Sequence, residues 1–297
     1  IKGFLTGLGV FDKVKIVSYR LSLSGDYPNI LNTLIYAVED VSKKGIRIIN
    51  FSAGGYDGTC SSNETFKQIL LNYDGLFICA AGNEGYNNDD SDYLVERFPS
   101  NVDASNLIAV GASTPEDSIW GDSNVGETTV DLFAPGYCIY SAVPITNCGS
   151  NNSICEDAMN HCFHEMNGYH YVTGTSQATP VVSGCAAILY SLLDELPNIS
   201  FDNRSDFEII KNIMLDTVDI TNVYGNQPFV NKCVSGGRLN LFKAVGKTVS
   251  NNFLNFIKKY ADNSNNKAER KDFINIITTS SSKTGETWRF NDNSTLF

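Results

Sequence analysis

The tightest constraint on how this chain can fold is one junction, Gly174-Thr175-Ser176-Gln177-Ala178-Thr179-Pro180, which runs without a break into the apolar segment Val181 to Leu193. That segment (Val181, Val182, Cys185, Ala186, Ile188, Leu189, Leu192, Leu193) is apolar on nearly every face, the pattern of a helix buried through the middle of a domain. A glycine-led turn opening such a helix sets Ser176 at the positive end of the helix dipole, beside backbone N–H groups with no intrahelical partner. From the residues alone the serine is either an ordinary N-cap or a nucleophile placed among ready-made donors. Pro180 is expected in the first turn, where its missing N–H costs little.

The chain before this junction alternates between two periods. Val14 to Tyr19 and Ile46 to Phe51 read as short apolar strands, with helical spacing over Ile30 to Val41 and a breaker at Gly45 between them. Phe66 to Leu71 is again helical, and Leu76 to Ala80 and Leu107 to Val110 are further strands. Such alternation predicts right-handed βαβ crossovers and a parallel sheet covered on both faces, with functional groups beyond the strands' carboxyl ends. Two blocks stand at those ends, Ile48-Ile49-Asn50-Phe51-Ser52-Ala53-Gly54-Gly55 and Ala80-Ala81-Gly82-Asn83-Glu84-Gly85.

The 174–180 junction and its small-residue helix resemble the nucleophile motif of the subtilisin-like serine proteases, Gly-Thr-Ser-x-Ala-x-Pro-His-Val, with Val181 standing where that motif has histidine. The two upstream blocks match the same family in the same order. Asp131-Leu132-Phe133-Ala134-Pro135-Gly136 resembles another of its landmarks, and Gly236-Gly237-Arg238-Leu239-Asn240 its closing motif, with a last helix over Leu241 to Val245. The resemblance implies an α/β, subtilisin-like three-layer fold with a mainly parallel sheet between helices, spanning residues 1–248. It also implies a cysteine-rich insertion near 146–167. Residues 249–297 read as a polar tail in which Phe253, Leu254, Phe256, Ile257 and Tyr260 mark one amphipathic helix.

The same resemblance implies the chemistry. Ser176 would be the nucleophile of a serine endopeptidase acting through an acyl-enzyme, and Asn83 would donate its side-chain N–H to the oxyanion beside the Ser176 backbone N–H. Ser52, Ala53, Gly54, Gly55, Ala81 and Gly82 would line the extended protein or peptide substrate, glycine allowing close backbone approach. In the family the catalytic Asp and His precede Ser and fall before the landmark matched by Gly9-Val10. The histidines here are His161, His164 and His170, none at that position. The expectation is therefore a fold truncated at the amino terminus, lacking the strand that ends in the catalytic Asp, and a chain that begins inside a longer polypeptide. The rival from another class is a catalytically inactive homologue that serves as a binding or surface-interaction module.

Composition narrows the remaining classes. A net charge of −11 disfavours nucleic acid as a partner. No segment reads as a membrane span or a signal peptide, and a monomer is expected. Cys79 and Cys185 sit in apolar runs as free thiols, whereas Cys138, Cys148, Cys155 and Cys162 occupy a polar stretch that suits disulfides of an exported protein; Cys60 and Cys233 are open. No catalytic metal or cofactor is expected: His161, Cys162 and His164 fit no zinc spacing. Calcium as a structural ion is the one candidate, at Asp89, Asp90 and Asp92, against a solvated acidic loop.

Overall fold

The computed structural model describes residues 14–20, 27–57, 60–90, 96–142, 169–195, 205–222 and 224–250. Strands β1 (Ile48–Phe51), β3 (Leu76–Ala80), β5 (Leu107–Ser113) and β6 (Leu132–Pro135) form a parallel sheet in the order β1-β3-β5-β6. Two antiparallel pairs flank it, β2 (Gly55–Asp57) with β4 (Glu96–Phe98) and β7 (Ile139–Ala142) with β8 (Tyr169–Val172). Helices α1 (Tyr27–Lys43), α2 (Cys60–Leu71), α3 (Thr175–Glu195), α4 (Asp206–Asp216) and a fifth over 241–250 complete the described elements.

The strand period of two explains the layering. In β3, Leu76 and Ile78 face the cluster built by Val182, Leu189 and Ile210, while Phe77 and Cys79 face Leu34, Val38, Phe66 and Leu70 of α1 and α2. Every residue of β3 and β5 is buried, as a parallel sheet covered on both faces requires. Phe66 closes the second cluster edge-on to Phe77 and Phe98, with ring centroids 5.3 and 5.1 Å away. Ser205 opens α4 by giving its N–H to Glu208 at 2.9 Å, a reciprocal cap.

Three expectations are corrected. Residues 14–20 form no strand: Ile16 is 89% exposed and Val17 54% exposed, and β1 is the sheet edge. A β-branched run acquires strand geometry from a neighbour that pairs with it, and this run has none among the described residues. Tyr19 is anchored, its hydroxyl donating to Asp40 at 2.6 Å. Next, α3 begins at Thr175, so Pro180 lies in the second turn and withholds an N–H from the Ser176 carbonyl. Finally, Val181, Gly184, Ala187, Ile188 and Ser191 of α3 are only half-buried, so the helix is packed on the sheet along one side instead of being enclosed.

By length and composition Thr175–Asp194, with a mean hydropathy of 1.2, meets the requirement for a membrane span, against the expectation that no stretch does; in the fold it lies across β1, β3, β5 and β6. Burial pushes the Cys185 thiol up to about 12 and raises those of Cys79 and Cys233, all three free. Cys138 is disulfide-bonded, with a partner outside the described side chains. The insertion at 146–167, including Cys148, Cys155, Cys162, His161 and His164, and the tail beyond residue 250 also lie outside the described residues.

Candidate active site

Helix α3 starts where the chain has just crossed the end of β6. Gly174 donates its N–H to the Gly136 carbonyl at 2.9 Å, and Gly136 donates to Ser113 at 3.1 Å. Gly136 has to be glycine: a Cβ there would stand 2.6 Å from Ala112 Cβ and 2.7 Å from the Gly174 carbonyl. The turn that presents Ser176 is thus laid directly on the sheet, beyond the carboxyl ends of β5 and β6.

Asn83 follows β3 and meets this turn. Its Oδ1 accepts the Thr175 N–H at 2.9 Å and the Thr175 hydroxyl at 2.8 Å, and Thr175 Oγ1 in turn accepts the Gly82 N–H at 3.2 Å. With Oδ1 engaged twice, the orientation of the amide is set and Nδ2 is its remaining side-chain donor, on an exposed residue held against the neighbour of Ser176. Asn83 also donates its backbone N–H to Glu84 Oε2 at 3.0 Å. Below it, buried Asn124 receives the N–H groups of Glu84 and Tyr86 at 3.0 and 3.1 Å and donates its own N–H to the Gly82 carbonyl at 2.9 Å.

Ser176 Oγ donates to the Ser52 carbonyl at 3.0 Å, which joins the third block to the other two. Ser52, Ala53 and Gly54 lie between β1 and β2 and belong to neither strand; Gly55 begins β2. Gly54 runs tight against its neighbours, a Cβ there standing 3.0 Å from the Phe98 carbonyl. Ala81 and Gly82 are buried at the end of β3, Ala81 donating to Val110 at 3.0 Å. Of the residues picked out from the sequence, Ser52 meets the Ser176 hydroxyl, and Asn83 and Gly82 meet its neighbour Thr175.

The base and its orienting acid are not part of this cluster among the described residues; His170 is placed only as a backbone position in β8, opposite Ser141. Nor does the acidic loop offer an evident cation cage. Asp89 takes the Thr128 N–H, the Thr128 hydroxyl and the Thr129 hydroxyl at 3.0, 2.9 and 2.7 Å, Asp90 accepts from Asn87 at 3.1 Å, and Asp92 lies outside the described residues. No group of three or more metal-binding side chains occurs among the described residues. A polar cavity of about 310 Å³ lined by Ser100, Asp103, Thr128, Thr129 and the Asp131–Lys211 ion pair shares no residue with the Ser176 cluster.

Two contributors carried no usable signal in the sequence. Thr175 lies inside the motif, but its clasp on Asn83 spans 92 residues. Arg97, buried and ion-paired to Glu84, comes from β4, a strand the hydrophobic pattern does not announce.

The parallel α/β sheet thus sets a serine at a helix start, an amide clasped by the residue before it, and the Ser52 carbonyl on the serine's hydroxyl. The chain belongs to the Subtilase family, whose profile matches residues 3–256. It is 30% identical over 198 residues to the major intracellular serine protease of Bacillus subtilis, covering 66% of this chain and 51% of that protein. To thermitase of Thermoactinomyces vulgaris it is 28% identical, over 68% of this chain and 61% of the relative. Among solved structures, the prenylagaramide maturation protease PagA superposes with a TM-score of 0.53 at 26% identity, covering 77% of this chain and 70% of the other. A lanthipeptide protease reaches 0.56 at 20% identity over 74% and 67%, a likeness of fold. The chain spans about half the length of the first curated relatives it matches.

Proposed function

We propose that this chain carries the nucleophile and oxyanion half of a serine endopeptidase that hydrolyses peptide bonds through an acyl-enzyme on Ser176. The observation that carries the reading is the convergence of the three blocks on one turn: Ser176 Oγ on the Ser52 carbonyl, and Asn83 clasped by Thr175 with its Nδ2 left to donate. In the reaction Ser176 Oγ adds to the scissile carbonyl, and the oxygen that gains charge takes hydrogen bonds from Asn83 Nδ2 and the Ser176 N–H. Ser52 to Gly55 hold the peptide extended along the site, so the partner is a protein or peptide; Ala81 and Gly82, buried with their backbone N–H and carbonyl groups bonded inside the fold, have none left for it. Family members need no cofactor for this chemistry; a calcium ion, if held, would be structural.

A general base must still remove the Ser176 proton, and in the resting site that proton goes to a backbone carbonyl that cannot take it. We assign the base and its carboxylate to a segment preceding Ile1 in the full-length protein. Two observations support this: the half-length match to the relatives, and a sheet whose β1 edge adjoins the Ser176 site while residues 14–20 find no strand partner. Domain limits of 1–248 and 249–297 and a monomeric state belong to the same proposal. So does export, read from the cysteine-rich insertion and disulfide-bonded Cys138; relatives include both intracellular and extracellular proteases, and a reduced Cys138 in the native protein would overturn it.

The test is labelling by a serine-directed organophosphorus probe. The chain 1–297 should remain unlabelled, and full-length protein should label in a way abolished by Ser176→Ala. Labelling of the short chain at Ser176 would mean that a histidine of the 161–170 stretch is the base. A folded full-length protein that stays unlabelled would make this an inactive homologue acting as a binding module.

A further inference from the structure

Two side-chain amides lie beneath the loop that carries Asn83, and the proposed reaction uses neither. The chain leaves β3 through glycines at positive φ, Gly82 at 118° and Gly85 at 66°, so the backbone groups between them turn away from the strand ladder and need other partners. Asn124, from the connection between β5 and β6, supplies them. Its Oδ1 accepts the N–H of Glu84 at 3.0 Å and that of Tyr86 at 3.1 Å, and its own backbone N–H goes to the Gly82 carbonyl at 2.9 Å. Both neighbours of Asn83 are thus held by one residue. The fit is close, since a Cβ on Gly82 would stand 2.5 Å from Asn124 Nδ2.

Asn88 fixes which way the Asn124 amide points. Asn124 Nδ2 donates to Asn88 Oδ1 at 2.9 Å, and Asn88 Nδ2 donates in turn to the Ala81 carbonyl at 3.0 Å, which leaves the Asn124 oxygen on the side of the Glu84 and Tyr86 N–H groups. Asn124 is 0% exposed and cannot touch a substrate, so whatever it contributes passes through the loop above it. On the serine protease reading, Asn83 must be fixed at two places: its side-chain oxygen, which Thr175 holds, and its backbone, which follows the residues on either side. We infer that Asn124, braced by Asn88, is a positioning residue that sets the backbone on both sides of Asn83 and so keeps Nδ2 where the oxyanion forms.

An oxyanion donor acts on charge that develops in the transition state, so shifting it lowers turnover and leaves substrate affinity nearly unchanged. Asn124→Leu, close to asparagine in size, removes the acceptor of two N–H groups while the backbone bond to Gly82 stays. The orphaned N–H groups of Glu84 and Tyr86 then draw the loop toward other partners, and Asn83 moves with it. Asn124→Asp keeps an oxygen for both N–H groups and gives up only the donation to Asn88.

The experiment is a double-mutant cycle in full-length protein on a quenched peptide substrate, with the folding of each variant checked by circular dichroism. Asn124→Leu should lower kcat by about ten- to a hundredfold and leave KM within about twofold. In an Asn83→Ala background the same substitution should change kcat by less than about twofold, because no donor is left to position. Asn124→Asp should retain more turnover than Asn124→Leu. An unchanged kcat in Asn124→Leu, the same loss in both backgrounds, a rise in KM in place of the fall in kcat, or equal turnover in Asn124→Asp and Asn124→Leu overturns the inference. Where Asn124→Leu does not fold, Asn124→Ser, whose hydroxyl stops short of both N–H groups, takes its place in the cycle under the same criteria. If native protein cleaves nothing, the proteolytic reading fails and heteronuclear NMR of the Asn83 side-chain amide, assigned by its loss in Asn83→Ala, decides the positioning. A signal that moves or broadens in the folded Asn124 variant supports it; an unchanged signal overturns it.

Discussion

Replacing Thr175 by Val tests the clasp that orients Asn83, because the two side chains have nearly the same shape and only the hydroxyl is lost. Thr175 is fully buried, so the change leaves no cavity but removes two hydrogen bonds, one given to Asn83 Oδ1 at 2.8 Å and one received from Gly82 N–H at 3.2 Å. Each bond contributes about 1 kcal/mol net, and a buried donor deprived of its acceptor costs about 1–3 kcal/mol. Gly82 is buried and bears that cost, whereas exposed Asn83 keeps the Thr175 N–H and regains water. Helix propensities of Thr and Val are nearly equal, so nothing offsets the loss. The expected destabilisation is about 2–3 kcal/mol, a large part of the roughly 5–15 kcal/mol of a typical domain. Urea titration should show a lower midpoint at unchanged slope, while Thr175→Ser, which keeps the hydroxyl and gives up one methyl, should lose only about 1 kcal/mol. If Val proves as stable as Ser, the hydroxyl is not holding the two blocks together and the account of Asn83 orientation is wrong.

Two further outcomes follow from the same geometry. If Asn83 is the proposed oxyanion donor, Asn83→Ala in full-length protein should lower turnover by about a hundred- to a thousandfold with little change in affinity, the magnitude known for removing such a donor; lost affinity with intact turnover would make Asn83 a substrate holder. Asp89 concerns pH. Partial burial raises its pKa, but the hydrogen bonds from Thr129 and Thr128 outweigh this and hold it below the usual 3.8. A carboxylate depressed in the folded state contributes stability above its unfolded pKa and loses it as pH falls through the folded value. Native protein should therefore weaken between neutral pH and about pH 3 more steeply than Asp89→Asn, as read from urea midpoints at each pH; parallel profiles would assign the acid sensitivity elsewhere.

What could be read in the sequence was whatever a short stretch encodes by itself. Leu76 to Ala80 is strand because the six consecutive apolar residues between Gly75 and Gly82 have few alternatives, and the structure returns the expected limits. Ser176 and Asn83 were legible as family motifs, and their convergence follows from parallel strands delivering their carboxyl ends to one side of the sheet. The start of α2 at Cys60 was not legible, since Cys60-Ser61-Ser62-Asn63 has no apolar period and reads as loop. The Arg97–Glu84 pair was invisible for a different reason: it joins a three-residue strand to the loop after β3, and no local pattern links the two.

Residues 14–19 and Ile48–Phe51 show most directly where local pattern stops deciding structure. Both are short β-branched runs that the sequence presents as equivalent strands, yet one is half or more exposed coil at Ile16 and Val17 and the other is the sheet edge paired to Leu76–Cys79. Their difference lies in the neighbour. A strand is stabilised by the ladder it shares, so the same composition is a strand beside β3 and an unpaired segment where no ladder reaches it. The active site inherits this dependence, because Asn50 at the edge already bonds Ser183 of α3 at 2.9 Å and leads within two residues to the Ser52 carbonyl that holds Ser176. Whatever pairs with β1 therefore lies two residues from the nucleophile's hydrogen-bond partner, which is where a base-bearing segment has to arrive for the proposed reaction to run.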